Sequence, residues 1–285
     1  MKSPNKLNII TVVRNDKLGV KATLKSVFIL ALNNKNVEFV NYVQDGCSTD
    51  DTLEVVNDFM IENTRENLSI VINSEDDEGI FDAMNKATEN MLNGDLVLYL
   101  NAGDTISGEF FNVSLDQILD DFIHSDSIVA CFRSCNVIDE ISYYMPPISI
   151  KDDAAFKIWI RSNTPVHQAM IFKVDNKYSI HYPLCFKIQA DSFLFFYLTR
   201  YFGRVSFYDF TICKFELGGF SGNYQSFRKV IRQFYEQSLL MLLRQQSLIY
   251  IPIYFVSFSI KYLMHKMLGV HFFKLHAITN RLLRK

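Results

Sequence analysis

The chain has 285 residues, with 29 Lys and Arg against 31 Asp and Glu, and this near-neutral balance argues against a general nucleic-acid-binding protein. Hydrophobic residues make up 49% of the chain, enough for a large core, and the five cysteines form no CxxC pair, so we expect reduced thiols in a cytosolic protein. A polar start followed by a strand-length apolar run argues against a signal peptide. The uncharged interval between Arg244 and Lys261 is shorter than the roughly 20 apolar residues of a spanning helix, and Pro252 interrupts it.

The first hundred residues alternate short apolar runs with segments of helical spacing. The predicted strands are LNIITVV, VEFVNYV, LSIVIN and LVLYL, and the predicted helices between them are GVKATLKSVFILAL, DDTLEVVNDFM and GIFDAMNKATENML. Strands that alternate with helices form βαβ units. The sequence therefore predicts an α/β fold with a mostly parallel sheet covered by helices on both faces.

The periodicity is weaker in the second part of the chain. We expect a helix near residues 115–123, a strand SIVACF, and a loop that contains Pro146 and Pro147. Two further strands, AMIFKV and VSFYDFTICKFEL, flank the strongly apolar helix ADSFLFFYLTRYF. From about Tyr224 onward the pattern is helical throughout.

Polar residues follow each of the first four predicted strands: Arg14 to Asp16, Gln44 to Gly46, Ser74 to Glu78 and Asn101 to Asp104. In an open parallel sheet, ligands bind beyond the carboxyl ends of the strands, so these residues are the candidates for a site. Asp45, at the end of the second strand, can accept hydrogen bonds from a nucleobase or a ribose. Ser48 and Asp51 fit a capping box for the helix that follows.

The four acids from Glu75 to Glu78 precede the third predicted helix. Two acids would complement the positive N-terminus of that helix, so four exceed this need. The same N-terminus, opened by Gly79, can meet a phosphate, which the acids would repel unless a divalent cation intervenes. Asp104 lies on a short turn after a buried strand, as a cation that bridges protein and diphosphate requires. The alternative, a turn aspartate that caps its own backbone, stays open.

Seven segments taken in order carry a resemblance to a known family: ITVVRND, DGCSTDDT, DDEGIFDAMNKA, LYLNAGD, PVHQAMIF, IQADSFLFFYL and LGGFSG. Between about Leu7 and Gly222 the chain resembles family 2 glycosyltransferases with the GT-A fold, especially those that assemble bacterial surface polysaccharides such as capsule, lipopolysaccharide O-antigen and exopolysaccharide. The resemblance implies a GT-A domain over residues 1–222, with a Rossmann-like nucleotide-sugar-binding half (1–104) and an acceptor and catalytic half (105–222). Residues 223–285 are then a basic amphipathic helical extension.

The resemblance also implies an activity. A sugar would pass from a nucleotide sugar, by default a UDP-sugar, to a glycan or polyprenyl-diphosphate-linked acceptor with inversion at the anomeric carbon, assisted by Mn²⁺ or Mg²⁺. The acidic metal-binding motif of the family falls on residues 101–104, where Asn101 and Gly103 stand in frequent carboxylate positions and only Asp104 is acidic. The residues implied in nucleotide-sugar binding are Thr11, Arg14, Asn15, Asp45, Asp77, Gly79, Asn101 and Asp104; Asp104 and His167 are implied in metal binding, and Asp191 as the catalytic base.

Asp191 and His167 each have a structural alternative. Asp191 is a lone carboxylate that opens an apolar helix, which suits a general base, but a helix N-cap has the same position. Most lone histidines are satisfied polar groups. The family often has His-Gln at this point, so we expect His167 to act near the diphosphate or the acceptor.

The C-terminal region combines apolar stripes with positive charge. From Tyr224 to Lys285 ten basic residues stand against one acid, Glu236. A basic amphipathic helix can lie on an anionic membrane surface, where a lipid-linked acceptor would be found. We therefore expect a cytoplasmic protein that binds peripherally to the cytoplasmic face of the membrane, with no nucleic-acid partner. The alternative is a helical cap that packs on the catalytic core.

Two other functions compete with glycosyl transfer. A nucleotidyltransferase also uses a parallel sheet, a nucleotide and Mg²⁺, but the segment VVRNDKLGV makes a poor triphosphate loop. A non-catalytic nucleotide-sugar-binding module would keep the fold and lack transfer. The sparse acidic motif allows such a module, whereas the presence of Asp45, Asp104 and Asp191 argues against it.

Overall fold

The computed structural model describes residues 5–138, 141–216 and 227–244, and, further on, the helical residues 252, 255–256, 259–260, 262–263 and 266–267. The strands are β1 (Asn5–Val13), β2 (Val37–Asp45), β3 (Leu68–Ser74), β4 (Leu96–Tyr99), β5 (Thr105–Ile106), β6 (Ser127–Ile138), β7 (Ile141–Met145), β8 (Met170–Lys173) and β9 (Arg204–Glu216). The helices are α1 (Lys17–Asn33), α2 (Thr52–Glu62), α3 (Ile80–Thr88), α4 (Leu115–His124), α5 (Asp153–Trp159), α6 (Ala190–Tyr201) and α7 (Phe227–Leu243).

All nine of these strands belong to one sheet, and the order along it is β3-β2-β1-β4-β8-β6-β9-β5, with β7 paired to β6. The first four strands are parallel to one another, as the alternation of strands and helices predicts. β8 lies antiparallel between β4 and β6, and β9 runs parallel to β6. The predicted α/β fold is confirmed, and its parallel half carries the four strand ends of interest.

Strand β6 is longer than the predicted SIVACF and continues to Ile138. The added part contains the polar residues Arg133, Ser134 and Asn136, yet all three are less than 5% exposed. Neighbouring segments supply partners for these polar side chains: the Arg133 guanidinium donates to the carbonyls of Pro146 and Ile150, and the Ser134 hydroxyl donates to the carbonyl of Met145. The hydrophobic pattern ends where this polar, fully paired part of the strand begins, so the sequence prediction stopped too early.

The predicted capping box of α2 is wrong. The helix begins at Thr52 with Asp51 as its N-cap, and the Asp51 side chain makes no capping hydrogen bond. Asp50 accepts from the Thr52 amide at 3.1 Å instead. Ser48 is drawn away from the helix because its hydroxyl accepts from the Asn15 amide at 2.7 Å, which joins the turns after β1 and β2.

The two faces of the sheet carry separate hydrophobic clusters, because successive residues of a strand point to opposite faces. Leu7 and Ile9 pack with α1 and α4 on one face, whereas Ile10 packs with α3 and α6 on the other. The predicted apolar helix is α6, which buries Ala190, Leu194, Phe195 and Leu198. These helices leave the carboxyl ends of β1, β2 and β4 at the rim of the sheet.

No helix in the described part of the chain is long and apolar enough to cross a bilayer. The helix predicted from Tyr224 is observed as α7, and the residues described between 252 and 267 are also helical. The segment LGGFSG at 217–222 and residues 268–285 lie outside the described residues.

Candidate active site

The turn Asn101–Asp104 continues directly from β4 along the end of β1. The Leu100 amide donates to the Ile10 carbonyl at 2.9 Å, and the Ala102 amide donates to the Val12 carbonyl at 3.0 Å. Thr23 of α1 then holds the turn from below: its hydroxyl accepts from the Gly103 amide at 3.1 Å and lies 2.7 Å from the Asp104 carbonyl. Strand β4 therefore ends in a polar turn that is held by hydrogen bonds to β1 and to α1.

Gly103 has a φ of +91°, which L side chains rarely adopt, although there is open space where a Cβ would be. We expect Gly103→Ala to lower the free energy of unfolding by about 1–2 kcal/mol through backbone strain alone. Urea denaturation measures this change. Gly108→Ala is the matched control, since a Cβ there also meets open space and its φ is not in the left-handed region. Equal stability of the two variants would show that alanine at position 103 causes no backbone strain.

Asp104 is buried beside this turn, with 9% of its surface exposed. Its Oδ2 accepts from Nε2 of Gln168 at 2.9 Å. Desolvation raises the pKa of the Asp104 carboxyl to about 6, and the hydrogen bond from Gln168 and the nearby His167 offset only part of that effect. A carboxylate that is so poorly solvated gains more than an exposed one from a cation beside it.

A line of three polar side chains connects this turn to α6. Nδ2 of Asn101 donates to Nε2 of His167 at 3.0 Å. Nε2 therefore accepts, and in the neutral imidazole the proton lies on Nδ1. Nδ1 faces Oδ2 of Asp191 at 3.9 Å. His167 and Asp191 are 12% and 23% exposed at their side chains, so the line is shielded but open at the Asp191 end.

Asp191 lies in the first turn of α6 rather than at its N-cap, which is Gln189. Its Oδ1 accepts from the Ser192 amide at 2.7 Å. Oδ2 makes no hydrogen bond with the described residues and is the oxygen that faces His167. The N-cap alternative for Asp191 is thus wrong, and one carboxylate oxygen remains available.

Asp45 is completely buried at the end of β2. Its Oδ2 accepts from the Ser48 amide at 3.0 Å and from the Ser74 hydroxyl at 2.6 Å. Oδ1 is buried without a hydrogen-bond partner among the described residues. A buried acceptor with a free lone pair is costly unless a ligand completes it.

The other residues predicted after β1 have separate surroundings. Thr11 is buried within the sheet, where its hydroxyl accepts from Nδ2 of Asn41 at 2.9 Å. The side chain of Asn15 accepts from the Thr49 amide at 2.7 Å, and its backbone adopts a φ of 51°. Both residues therefore hold the strand ends in place, while Arg14 lies between them at the surface of a cleft.

This cleft has a volume of about 570 Å³ and lies at the carboxyl edge of the sheet. Its walls come from the end of β1, from residues 77–82 at the start of α3, from the turn at 101–102 and from the loop at 184–187. Four predicted residues line it: Arg14, Asp77, Gly79 and Asn101. The volume lies within the range of pockets that bind small molecules and cofactors.

Two cations line the cleft, Arg14 and Lys187, and neither forms an ion pair with a described residue. The acids at residues 75–78 do not all face the cleft. Glu75 accepts from Nε2 of Gln44 at 2.9 Å, away from the cleft, while Asp77 lines it and accepts from the Gly79 amide at 2.8 Å. A Cβ on Gly46 would lie 2.4 Å from Oδ2 of Asp77, so the glycine makes room for that carboxylate.

The donor atoms around the turn offer a partial shell for a divalent cation. Among the residues that the structure describes, no group of three His, Cys, Asp or Glu side chains is placed to hold a metal ion. What lies at the turn is one carboxylate, Asp104, and Oδ1 of Asn101, which is buried without a hydrogen-bond partner among the described residues. The imidazole of His167 is adjacent, but its Nε2 accepts from Asn101 and its Nδ1 faces Asp191. The orphaned oxygen and the desolvated carboxylate fit a cation whose remaining ligands are supplied by a bound diphosphate.

Sequence reasoning missed four residues of this region: Thr23, Gln168, Leu184 and Lys187. Thr23 and Lys187 stand in segments without a local motif, so no sequence signal was available for them. Gln168 is different, because it adjoins His167 in PVHQAMIF and could have been assigned with it.

Comparisons with known proteins bear on the family and on the fold. The family described as Glycosyl transferase family 2 matches residues 8–179. No curated protein matches the chain. Among solved structures, S. aureus TarS 1-349 in complex with UDP-GlcNAc has a TM-score of 0.59 at 16% identity, over 91% of this chain and 72% of that one.

A second similar structure is the mannosyltransferase PcManGT from Pyrobaculum calidifontis in complex with GDP-Man and Mn²⁺, with a TM-score of 0.55 at 14% identity, over 94% of this chain and 71% of that one. A longer structure of S. aureus TarS is matched over only 39% of its length. At these identities the solved structures establish the fold. The family match covers more than half of the sequence, and the chain belongs to glycosyltransferase family 2.

Proposed function

We propose that the protein is an inverting, divalent-cation-dependent glycosyltransferase. It moves a hexosyl group from a nucleotide sugar, with UDP-sugars favoured, to a glycan or a polyprenyl-diphosphate-linked acceptor in the synthesis of a bacterial surface polysaccharide. Family membership favours glycosyl over nucleotidyl transfer. The observation that carries the proposal is the line Asn101–His167–Asp191, which leads from the wall of the cleft to a partly exposed carboxylate.

The nucleotide end of the donor belongs at the first three strands. Asp45 is 0% exposed and does not line the cleft, so its unpartnered Oδ1 would accept a hydrogen bond from the base only after the segment around it moves. Arg14 and Lys187 are the cations available to the diphosphate, since no described acid pairs with them. UDP is favoured because TarS, a similar structure, is known with UDP and UDP-GlcNAc.

Asp104 and Oδ1 of Asn101 would hold Mn²⁺ or Mg²⁺ together with the diphosphate, and His167 would ligate the cation only after its Nε2 gives up the hydrogen bond from Nδ2 of Asn101. Held there, the cation would supply positive charge for the departing nucleoside diphosphate. The orphaned Oδ1 of Asn101 and the desolvated carboxylate of Asp104 support this assignment. The similar mannosyltransferase PcManGT is known in complex with GDP-Man and Mn²⁺.

Asp191 acts as the base of the reaction. Its Oδ2 takes the proton of an acceptor hydroxyl as that oxygen attacks the anomeric carbon, and the bond from this carbon to the diphosphate oxygen breaks. Attack opposite the leaving group inverts the anomeric configuration. His167 holds a proton on Nδ1 toward Asp191 and so stabilises the carboxylate before the reaction.

The first experiment is a thermal-shift panel of UDP-, GDP-, CMP- and dTDP-sugars, each with and without Mn²⁺. A shift with one nucleotide that requires Mn²⁺ is expected and identifies the donor class. Product analysis by NMR then tests inversion. Binding of a donor with neither hydrolysis nor transfer would favour a non-catalytic module, and no shift in a folded sample would refute donor binding.

Lys187→Ala is expected to weaken binding of UDP with Mn²⁺ about fivefold, because a partly exposed cation contributes on the order of 1 kcal/mol to a charged ligand. Isothermal titration calorimetry measures the affinity. Lys177→Ala is the control, since Lys177 is exposed on a neighbouring loop and does not line the cleft. Equal affinities for the two variants would remove Lys187 from the site.

We also propose that the protein binds to a membrane surface, where a lipid-linked acceptor would lie. Large apolar side chains are exposed on α7 and on the helical residues after it: Ile231, Tyr235, Leu242, Leu243, Phe255, Val256, Ile260, Leu263 and Met267. Their basic neighbours favour an anionic surface. Flotation with vesicles that contain phosphatidylglycerol, but not with purely zwitterionic vesicles, is the expected result.

A further inference from the structure

Glu236 is an acid of α7 with only 2% of its surface exposed. Its Oε1 accepts from the Lys187 amide at 2.9 Å. Its Oε2 accepts from the amides of Ile188 and Gln189 at 2.9 and 2.8 Å. One carboxylate thus satisfies three consecutive backbone amides that lie 47 to 49 residues earlier in the chain.

These three amides form the turn that leads into α6. The helix begins at Ala190, and its N-cap residue, Gln189, makes no capping hydrogen bond with its own side chain. Buried amides before a helix need acceptors, and charge-assisted hydrogen bonds are the strong form of that interaction. Glu236 supplies from another helix the acceptor that α6 lacks.

The turn that Glu236 holds carries two residues of the proposed site. Lys187 lines the cleft, and Asp191 follows Gln189 by two residues in the first turn of α6. The other end of α7 is also fastened near α6: Arg244 donates to the Thr164 hydroxyl at 2.8 Å and lies 5.9 Å from the centroid of the Phe196 ring. Helix α7 therefore braces the segment from Lys187 to Phe196.

We propose that Glu236 is a positioning residue: its carboxylate fixes the turn 187–189 and thereby sets Lys187 against the cleft and Asp191 against His167. The inference rests on the proposed function, because it assigns Asp191 as the base. Glu236 is the single acid between Tyr224 and Lys285, and the sequence alone does not indicate that it has a role in turnover.

The test compares Glu236→Ala and Glu236→Gln with Leu240→Ala in the full-length protein. Leu240 is 1% exposed on the same helix, so its truncation lowers stability through a small cavity and leaves Glu236 and its three hydrogen bonds in place. We measure release of UDP from UDP-GlcNAc with Mn²⁺, thermal stability, and hydrogen exchange of the peptide that contains the amides of residues 187–189. The Gln variant keeps one oxygen acceptor and serves if the Ala variant fails to fold.

Glu236→Ala is expected to lower kcat about 10- to 100-fold, since a shift of about 1 Å at a catalytic group has effects of that size. The UDP affinity of Glu236→Ala should fall no more than that of Lys187→Ala. The kcat of Glu236→Gln should lie between those of the wild type and Glu236→Ala. Leu240→Ala should keep the wild-type kcat although it loses a comparable amount of thermal stability. A kcat near the wild-type value in the Glu236 variants, or an equal loss in Leu240→Ala, overturns the proposal.

Hydrogen exchange separates this result from a failure of the proposed function. If the wild type releases no UDP, the assigned reaction with this donor fails, and the exchange rates still decide the role of Glu236. Exchange of the three amides must rise at least about tenfold over wild type and Leu240→Ala once their buried acceptor is removed. Unchanged exchange would show that Glu236 does not hold the turn.

Discussion

Asp191→Asn is expected to lower turnover by about 10²- to 10⁴-fold and to leave UDP binding with Mn²⁺ nearly unchanged, as for loss of a general base. The reason lies in the two oxygens of this side chain. Asn retains an oxygen that can accept from the Ser192 amide, so the start of α6 is kept. The other position, which faces Nδ1 of His167, becomes a neutral amide that cannot take a proton.

The measurements are single-turnover transfer or donor hydrolysis for the chemical step and calorimetry for UDP binding. Asp58→Asn, an exposed acid on α2, controls for the loss of one negative charge. Full turnover in Asp191→Asn would refute the assignment of the base. Loss of UDP affinity in parallel with turnover would instead make Asp191 part of the donor site.

Asp104→Asn is expected to have opposite effects on stability and on activity. In metal-free protein at pH 7.5 it should raise the free energy of unfolding by up to about 3 kcal/mol, because it removes a desolvated charge. With Mn²⁺ and donor, kcat/KM should fall by about 10²-fold or more, since the cation loses its carboxylate ligand. This trade-off is typical of a functional group that is held at a cost to the fold.

The pH dependence follows from the direction of the pKa shift. Burial raises the pKa of Asp104 from its usual value near 3.8 to about 6 in the folded protein. Between these values the folded state holds a proton that the unfolded state has released, so the contribution of Asp104 to stability decreases as pH rises from about 4 to 6. Below pH 4 both states are protonated and the wild type and Asp104→Asn should be similarly stable.

Urea denaturation of both proteins without metal between pH 4 and pH 8 measures this difference. The curves should diverge between pH 4 and 6, with the variant above the wild type, and added Mn²⁺ with UDP should stabilise only the wild type. Parallel curves at all pH values would show that the Asp104 carboxylate is not desolvated. Equal stabilisation of both proteins would remove Asp104 from the metal site.

Much of the fold is predictable because the first half of the chain follows simple patterns. Runs such as LVLYL are apolar on both faces, which is required of a strand covered by helices on both sides, and the helices between them have clear spacing. The prediction failed where polar residues of a strand are buried, as for Arg133 and Asn136 in β6, because hydrophobic periodicity does not mark such residues. It also failed at Ser48, whose hydroxyl is used by Asn15 rather than by its own helix.

The sequence by itself determined which strand ends carry polar residues, and so it determined Asp45 and Asp104 as acids to consider, while Asp191 at the start of a helix came from the resemblance to the family. Only the tertiary structure decided that Thr11 and Asn15 brace the strand ends, that Lys187 reaches the cleft, and that Gln168 binds Asp104. The same holds for Glu236, whose three hydrogen bonds reach back across 47 to 49 residues. Periodicity and capping rules report on neighbours within one or two turns of the chain, whereas these contacts depend on how separate elements pack.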